Sequence, residues 1–128
     1  MAAIVVLIGT NNLGAGMKPE DAARGVVAVV EAVRVRVPGA RVYVEELFPR
    51  GRIQGKVAAT NALVREAVGG MDGEGLRLMK CGALLAQNSA DKEEEDWVPD
   101  PKLMPDALHP SGEGVALWMK CVRENGVI

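Results

Sequence analysis

The sequence contains few of the residues that characterise nucleic-acid-binding and membrane proteins. Its aromatic residues are two Trp, one Tyr and one Phe, too few for a platform on which bases stack. Fifteen Lys and Arg are balanced by seventeen Asp and Glu without a basic block, so neither nucleic acid nor an anionic membrane surface is an expected partner. No apolar run approaches the roughly 20 residues of a membrane span. The composition therefore indicates a globular protein.

Cysteine and histidine are equally scarce. The two cysteines, Cys81 and Cys121, form neither a CxxC motif nor a framework of several disulfides. We expect reduced, buried thiols in a cytoplasmic protein, with a single disulfide as the alternative. The single histidine is His109, so a catalytic base of the imidazole type can only be this residue. The first eight residues have no basic n-region and predict a strand rather than a signal peptide.

A chain of 128 residues, 48% of them apolar, has the length of one domain and buries roughly 70% of its unfolded surface. We expect a single domain over residues 1–128. Apolar runs predict strands at residues 3–8, 41–47 and 76–79, and hydrophobic periodicity predicts helices at residues 19–37, 56–68 and 111–124. The segments between them are predicted loops, including residues 9–16 and 48–55 and a long irregular stretch, 80–105, with a solvated acidic run at 91–96.

The first predicted strand, AIVVLI, is apolar without alternation, a pattern typical of a strand that is covered on both faces. We therefore expect it in the centre of the sheet. Strands that alternate with helices favour right-handed crossovers and a three-layer α/β/α architecture around a parallel sheet. In such sheets the chemistry lies beyond the carboxyl ends of the strands. Two predicted loops belong to that edge: GTNN at residues 9–12, and the segment that contains His109.

The segment around the single histidine is the first candidate site. Asp106 precedes His109 by three residues, and Pro105 and Pro110 restrain the backbone on both sides. The carboxylate can therefore fold back across one turn and accept the ring's Nδ1–H, which leaves Nε2 free as a general base. The alternative is that His109 is a surface or capping residue and Asp106 an ordinary turn former.

The GTNN segment, which follows the first predicted strand directly, is the second candidate. An Asn at the end of a rigid strand can point its amide N–H at a developing oxyanion, and such a donor contributes about 2.7–4 kcal/mol in acyl transfer. The alternative is that Asn and Gly are ordinary turn residues here. Because both segments are expected at one edge of the sheet, a shared site is favoured.

Three sequence blocks, IVVLIGTNN, LFPRG and PDALHPSGEG, occur in this order along the chain. Together they resemble the SGNH hydrolase (GDSL-type esterase) family and, within it, the platelet-activating factor acetylhydrolases. The resemblance implies a flavodoxin-like SGNH hydrolase fold and hydrolysis of a small acyl or acetyl ester, with neither a cofactor nor a metal. It makes Asp106 and His109 the acid and base of a Ser-His-Asp triad. It also makes Asn11 an oxyanion-hole donor, places Gly9 in the substrate site, and implies a structural hydrogen bond for Asn61.

The family's nucleophilic serine belongs to a GDS block upstream of GTNN, and nothing in this chain reads GDS. Ser111 is expected to be the N-cap residue of the last helix. Ser89 lies in the irregular stretch before the acidic run, and Thr10 and Thr60 have no companion base. The chain thus resembles the C-terminal portion of the family fold without its first strands, and its acid, base and oxyanion donor lack a nucleophile.

Two functions are compatible with this pattern. The first is an ester hydrolase whose nucleophile lies outside this sequence. The second is a non-catalytic α/β module that acts through a partner, because a strand suited to two neighbours would otherwise have an open edge. We expect a homo-oligomer or a partner chain to cover this edge. Arg50 and Arg52 are candidates for steering an anionic substrate, with ordinary surface residues as the alternative.

Overall fold

The computed structural model describes residues 2–71, 73 and 75–127; Met1, in the N-terminal segment, lies outside the described residues. The sheet has three parallel strands in the order β1-β2-β3. They are β1 (Ala3–Val6), β2 (Arg41–Glu45) and β3 (Leu76–Met79). Ile4 lies opposite Val42, and Val42 lies opposite Leu76. The prediction of a parallel α/β sheet is confirmed.

The predicted central position of the first strand is wrong for this sheet. β2 is the middle strand, and β1 lies at an edge, with no second neighbour in residues 2–71, 73 and 75–127. Only Val6 of β1 is buried, and its other three residues are partly exposed. An apolar run shows that a strand is suited to burial, but it does not determine which neighbours are present to bury it.

In the part of the chain that the structure describes, four α-helices accompany the strands: α1 (Thr10–Gly14), α2 (Pro19–Arg36), α3 (Gln54–Gly69) and α4 (Gly112–Glu124). The last three confirm the predicted helices to within two residues at either end. α1 corrects the predicted loop over residues 9–16. Its turn forms because the buried Leu13 donates its backbone N–H to the Gly9 carbonyl oxygen at 3.1 Å. Two short 3-10 helices, Cys81–Leu85 and Glu94–Asp96, lie in the stretch predicted to be irregular.

The helices divide between the two faces of the sheet. Side chains alternate along β2, so Val42 and Val44 point to one face while Tyr43 and Glu45 point to the other. α2 and α3 cover the first face, and α4 covers the second; we call these the α2/α3 face and the α4 face. The α2/α3 face is an apolar core made mainly of valines: Val6, Val26, Val30, Val42, Val44, Val64 and Val68. None of the helices in the described ranges has the length and apolar character that crossing a bilayer demands.

The α4 face contains a disulfide between Cys81 and Cys121. Their Cα atoms are 5.8 Å apart, a separation at which a disulfide forms without backbone movement. The expectation of two reduced thiols is therefore wrong, and the single disulfide is present. It joins the 3-10 helix that follows β3 to the third turn of α4, so α4 is covalently linked to the segment that leaves the sheet.

Candidate active site

Asp106 and His109 form a hydrogen-bonded pair at the carboxyl edge of the sheet. Asp106 Oδ2 lies 2.6 Å from His109 Nδ1. The other carboxylate oxygen accepts the backbone N–H groups of His109, at 2.6 Å, and Leu108, at 2.9 Å. Ala107, between them, has a φ of 59°, the left-handed conformation that lets the chain turn back over the carboxylate.

These bonds determine the charge of the pair. The backbone N–H of His109, the His109 ring and the backbone N–H of Leu108 together hold the pKa of Asp106 well below its usual range. The carboxylate therefore stays ionised at physiological pH and accepts the Nδ1–H. The imidazole, 74% exposed, has its Nε2 available to an incoming group. Asp106 acts as a turn former and as the partner of the ring at once, so the two interpretations of this segment are compatible.

The GTNN segment forms the start of α1. Gly9 is the N-cap residue with a φ of 120°, a conformation that favours glycine. Asn11 lies in the first turn and is exposed. Its side-chain amide makes no hydrogen bond within the part of the chain that the structure describes. α1 is held by backbone bonds rather than by an Asn side chain, so the Asn11 amide is available as a donor.

A cavity of about 240 Å³ lies between the two segments. Thr10, which precedes Asn11, contributes to one side, and Leu108 and Pro110, which flank His109, contribute to another. Leu47 and Phe48, from the loop after β2, are also among its lining residues. The cavity is mostly apolar in its lining and borders both candidate segments, as expected for a small-molecule site.

The two arginines of the LFPRG block have different environments. Arg50 Nη1 donates to the Thr10 carbonyl oxygen at 2.6 Å and lies 3.3 Å from Thr10 Oγ1. Arg52 is exposed and has a φ of 70°. Arg50 is therefore engaged with α1 rather than with open solvent.

The hydroxyl groups of Ser111 and Thr60 have structural partners. Ser111 Oγ accepts the Gly114 N–H at 3.2 Å and donates to the Lys102 carbonyl oxygen at 2.8 Å, which confirms its role as an N-cap residue. The buried Thr60 donates to the Lys56 carbonyl oxygen. Within the described residues no hydroxyl group is hydrogen-bonded to the His109 ring. The described residues thus bring the predicted acid and base together, and no serine hydroxyl among them is bonded to the ring.

A buried polar network at the end of β2 was not predicted. The Glu46 carboxylate accepts two bonds from Arg65, at 2.8 and 3.1 Å, and Arg65 also reaches Glu94 at 3.1 Å. Asn61 holds both backbone groups of Leu47, at 2.8 and 3.1 Å, which confirms its predicted structural bond. Glu94 also accepts from Asn61. One residue of the acidic run at 91–96 is therefore part of this network, and the prediction of a wholly solvated run is corrected.

Glu45 is the second buried carboxylate that sequence reasoning missed. It is 3% exposed, and its oxygens accept the Trp118 Nε1–H at 2.6 Å and the Cys81 backbone N–H at 3.1 Å. Burial raises the pKa of Glu45 to about 7, although the bond from Trp118 and those from backbone N–H groups oppose the shift. The only signal in the sequence is a pair of Glu at the end of an apolar strand, and that pair gives no indication of its partners.

The chain is similar in sequence to known proteins over about half of its length. The chain is 35% identical over 68 residues to a platelet-activating factor acetylhydrolase IB subunit beta homolog of Drosophila melanogaster. It is 41% identical over 71 residues to the platelet-activating factor acetylhydrolase IB subunit alpha1 of both Pongo abelii and Homo sapiens. The matches cover 53%, 52% and 52% of this chain but only 29%, 30% and 30% of the relatives, so the matched part spans less than a third of their length.

A family profile covers much more of the chain. The profile that describes GDSL-like lipases and acylhydrolases matches residues 2–117, which include the three strands, the GTNN segment and the Asp106–His109 pair. The chain belongs to the GDSL-like lipase/acylhydrolase family.

Proposed function

We propose that this chain carries the acid-base half of an ester hydrolase that acts on a small acyl or acetyl ester, such as the acetyl ester of a lipid. The observation that supports this most directly is the 2.6 Å bond between Asp106 and the chain's single imidazole, beside a cavity that Thr10 also lines. Similarity to platelet-activating factor acetylhydrolase subunits favours an acetyl ester.

Each residue has a role in the proposed reaction. His109 Nε2 takes the proton of a nucleophilic serine as that serine attacks the acyl carbonyl, and later returns it to the leaving alcohol. Asp106 holds the ring in one tautomer and stabilises the imidazolium. Asn11 donates its amide N–H to the oxyanion. Gly9 contacts the substrate through its backbone.

The serine belongs, in this proposal, to a strand that pairs with the open edge of β1. Residues 1–128 are then a single domain, equivalent to the C-terminal portion of the family fold. Apolar surface continues beyond the edge, because Ile8, Met17 and Val29 are 42%, 38% and 38% exposed and line one groove with the buried Val26. Exposed apolar surface beside an open strand edge favours pairing with another chain or segment.

Hydrolysis of p-nitrophenyl acetate, measured on the chain joined to the segment that carries the proposed serine, tests the catalytic role. We expect His109→Ala to abolish hydrolysis, because no second imidazole is present, and Asp106→Asn to lower kcat by about 10⁴-fold through the wrong tautomer. Glu95→Gln, which removes an exposed carboxylate from the irregular stretch, is the matched control and should leave the rate unchanged. Hydrolysis that is the same in His109→Ala and in the unaltered chain contradicts the proposal.

The second candidate function is a non-catalytic module that acts through self-association or a partner chain. The open edge of β1 and the absence of a GDS serine favour it. Sedimentation velocity should show a homo-oligomer or a complex, and a strictly monomeric chain at all concentrations contradicts a covered edge. The gene sequence upstream of the first codon distinguishes the two functions, since a strand followed by GDS supports the hydrolase.

A cytoplasmic location stays a prediction that the disulfide does not support, and a thiol count on protein isolated from cells tests it.

A further inference from the structure

We propose that Arg50 is a positioning residue for the oxyanion donor: its guanidinium fixes α1, and thereby Asn11, from the loop that follows β2. The inference rests on the proposed function, because it concerns the geometry of the same site. Arg50 Nη1 makes a 2.6 Å bond to the carbonyl oxygen of Thr10, the residue whose peptide unit leads into Asn11. A guanidinium-to-carbonyl bond is charge-assisted and therefore stronger than a neutral one.

The Arg50 charge has no competing acidic partner. Within the described residues the guanidinium forms no ion pair with a carboxylate, and the groups that it contacts on α1 are the carbonyl oxygen and hydroxyl of Thr10. A surface arginine without such a role extends into water, where its side chain retains its conformational entropy. In the observed conformation the Arg50 side chain is instead held against α1.

Gly14 provides the space for this contact. A Cβ at position 14 would lie 2.5 Å from Arg50 Nη2 and 2.7 Å from Nη1, much closer than van der Waals contact. Substitution of Gly14 therefore displaces Arg50 without removing its charge.

The same loop also contacts the other half of the site. The N–H of Gly51 donates to the carbonyl oxygen of Ala107 at 3.0 Å, and a Cβ at Gly51 would lie 3.0 Å from that of Ala107. Ala107 is the left-handed residue between Asp106 and His109. Two consecutive residues of one loop thus hold α1 and the acid-base segment.

The loop is itself anchored to α3. The Arg50 backbone N–H donates to Gln54 Oε1 at 2.8 Å, and Asn61 holds both backbone groups of Leu47. A guanidinium that extends from a fixed backbone can position the segment that it contacts. Since Arg50 does not touch the reacting atoms in this arrangement, its loss should reduce the stabilisation of the transition state more than the binding of substrate.

Amide hydrogen exchange in the full chain tests the positioning role without reference to activity. In Arg50→Met and in Gly14→Ala we expect the amides of Leu13 and Ala15 to exchange about tenfold faster and the side-chain NH₂ resonances of Asn11 to shift. Arg50→Lys, which keeps one charged donor, should restore part of the protection. Gly25→Ala is the matched control, because it adds a methyl group to α2 with no atom within 4 Å, and it should leave these signals unchanged. Unaltered exchange and unaltered Asn11 signals in both test variants overturn the proposal.

Ester hydrolysis by the chain joined to the segment that carries the proposed serine provides the second measurement. We expect Arg50→Met to lower kcat about tenfold with KM changed less than about twofold, and the Arg50→Met/Asn11→Ala double variant to be no slower than Asn11→Ala alone. Additive losses would mean that Arg50 acts independently of Asn11, which contradicts the positioning role. If hydrolysis by the unaltered chain does not depend on His109, the proposed function fails, while the exchange measurement still decides whether Arg50 positions α1.

Discussion

On the α2/α3 face of the sheet, buried valines of two strands and two helices pack together, and the carboxylate at its edge, Glu46, is paired with Arg65. On the α4 face, a single helix is held by a disulfide and by a buried carboxylate, Glu45, that faces an indole N–H and a backbone N–H instead of a cation. The two glutamates are adjacent in sequence and point to opposite faces. Burial raises the pKa of Glu45 to about 7, whereas Glu46 has its charge compensated.

The difference shows how each face is stabilised. Two helices supply enough apolar area for the α2/α3 face to depend on packing and a local ion network. One helix supplies less apolar area, and the α4 face also has a covalent link between Cys81 and Cys121. Because α4 begins directly after the His109 segment, the face with the disulfide and the buried Glu45 also supports the Asp106–His109 pair.

Removal of the disulfide is expected to have the largest effect. The bond joins residues 40 positions apart, for which chain entropy predicts about 4 kcal/mol of stabilisation. The Cys81→Ala/Cys121→Ala variant should lose about this much free energy of unfolding, measured in urea. A thiol reductant should destabilise the unaltered chain equally and leave the double variant unaffected. A loss below about 1 kcal/mol would mean that packing alone holds the α4 face, and the contrast between the faces would disappear.

Arg65→Met tests the other face. The substitution keeps the apolar stem of Arg65 but leaves the Glu46 carboxylate, 6% exposed, without its cation. We expect a loss of about 3 kcal/mol in the free energy of unfolding, toward the lower end for a broken buried pair because Arg65 itself is 38% exposed. Arg24→Met is the matched control, since it breaks an exposed pair with Asp21 and should cost under about 1 kcal/mol. Equal losses in both variants would contradict a special contribution from the buried pair.

Sequence patterns predict the α2/α3 face better than the α4 face, for a physical reason. Apolar periodicity reports which side of an element is buried, and it correctly predicts α2, α3 and the parallel strands. It contains no information on which elements meet. The pairing of Cys81 with Cys121 depends on a 5.8 Å Cα separation that exists only once α4 is docked, and the environment of Glu45 depends on the same docking.

The candidate site likewise has a local contact that the sequence predicts and a long-range contact that it does not. The three-residue spacing of Asp106 and His109 is local, so the sequence suffices to predict that the two can meet. The bond from Arg50 to Thr10 joins residues 40 positions apart, and no local pattern predicts it. The edge position of β1 likewise depends on which strands are present rather than on its own apolar run.

Glu45→Gln tests the unpaired carboxylate of the α4 face through pH. Since the pKa of Glu45 is raised from 4.5 to about 7 in the folded chain, the folded state binds more protons than the unfolded state between these values. The free energy of unfolding should therefore fall as pH rises from 5 to 7.5, by about 2 kcal/mol at about 1.4 kcal/mol per pH unit of full proton difference. In Glu45→Gln this decline should be absent. If the free energies of unfolding of the two proteins change in parallel over this pH range, the charge of Glu45 is as well compensated as that of Glu46.

Ser111→Ala is expected to have the smallest effect and tests a feature of the α4 face that is local in sequence, the N-cap of its helix. Its Oγ accepts the Gly114 N–H at 3.2 Å, and loss of such a cap costs about 1 kcal/mol. Ser111→Asp keeps an acceptor at the start of α4 and should be nearly neutral, and Ser89→Ala, without a cap to lose, should change stability by less than about 0.5 kcal/mol. Urea unfolding of the three variants measures these differences. If the first turn of α4 unravels, the helix also loses the packing of the buried Gly114 against the Leu103 carbonyl oxygen. A loss of stability in Ser111→Ala as large as that caused by removal of the disulfide would therefore mean that the local cap, rather than the covalent link, determines how α4 docks.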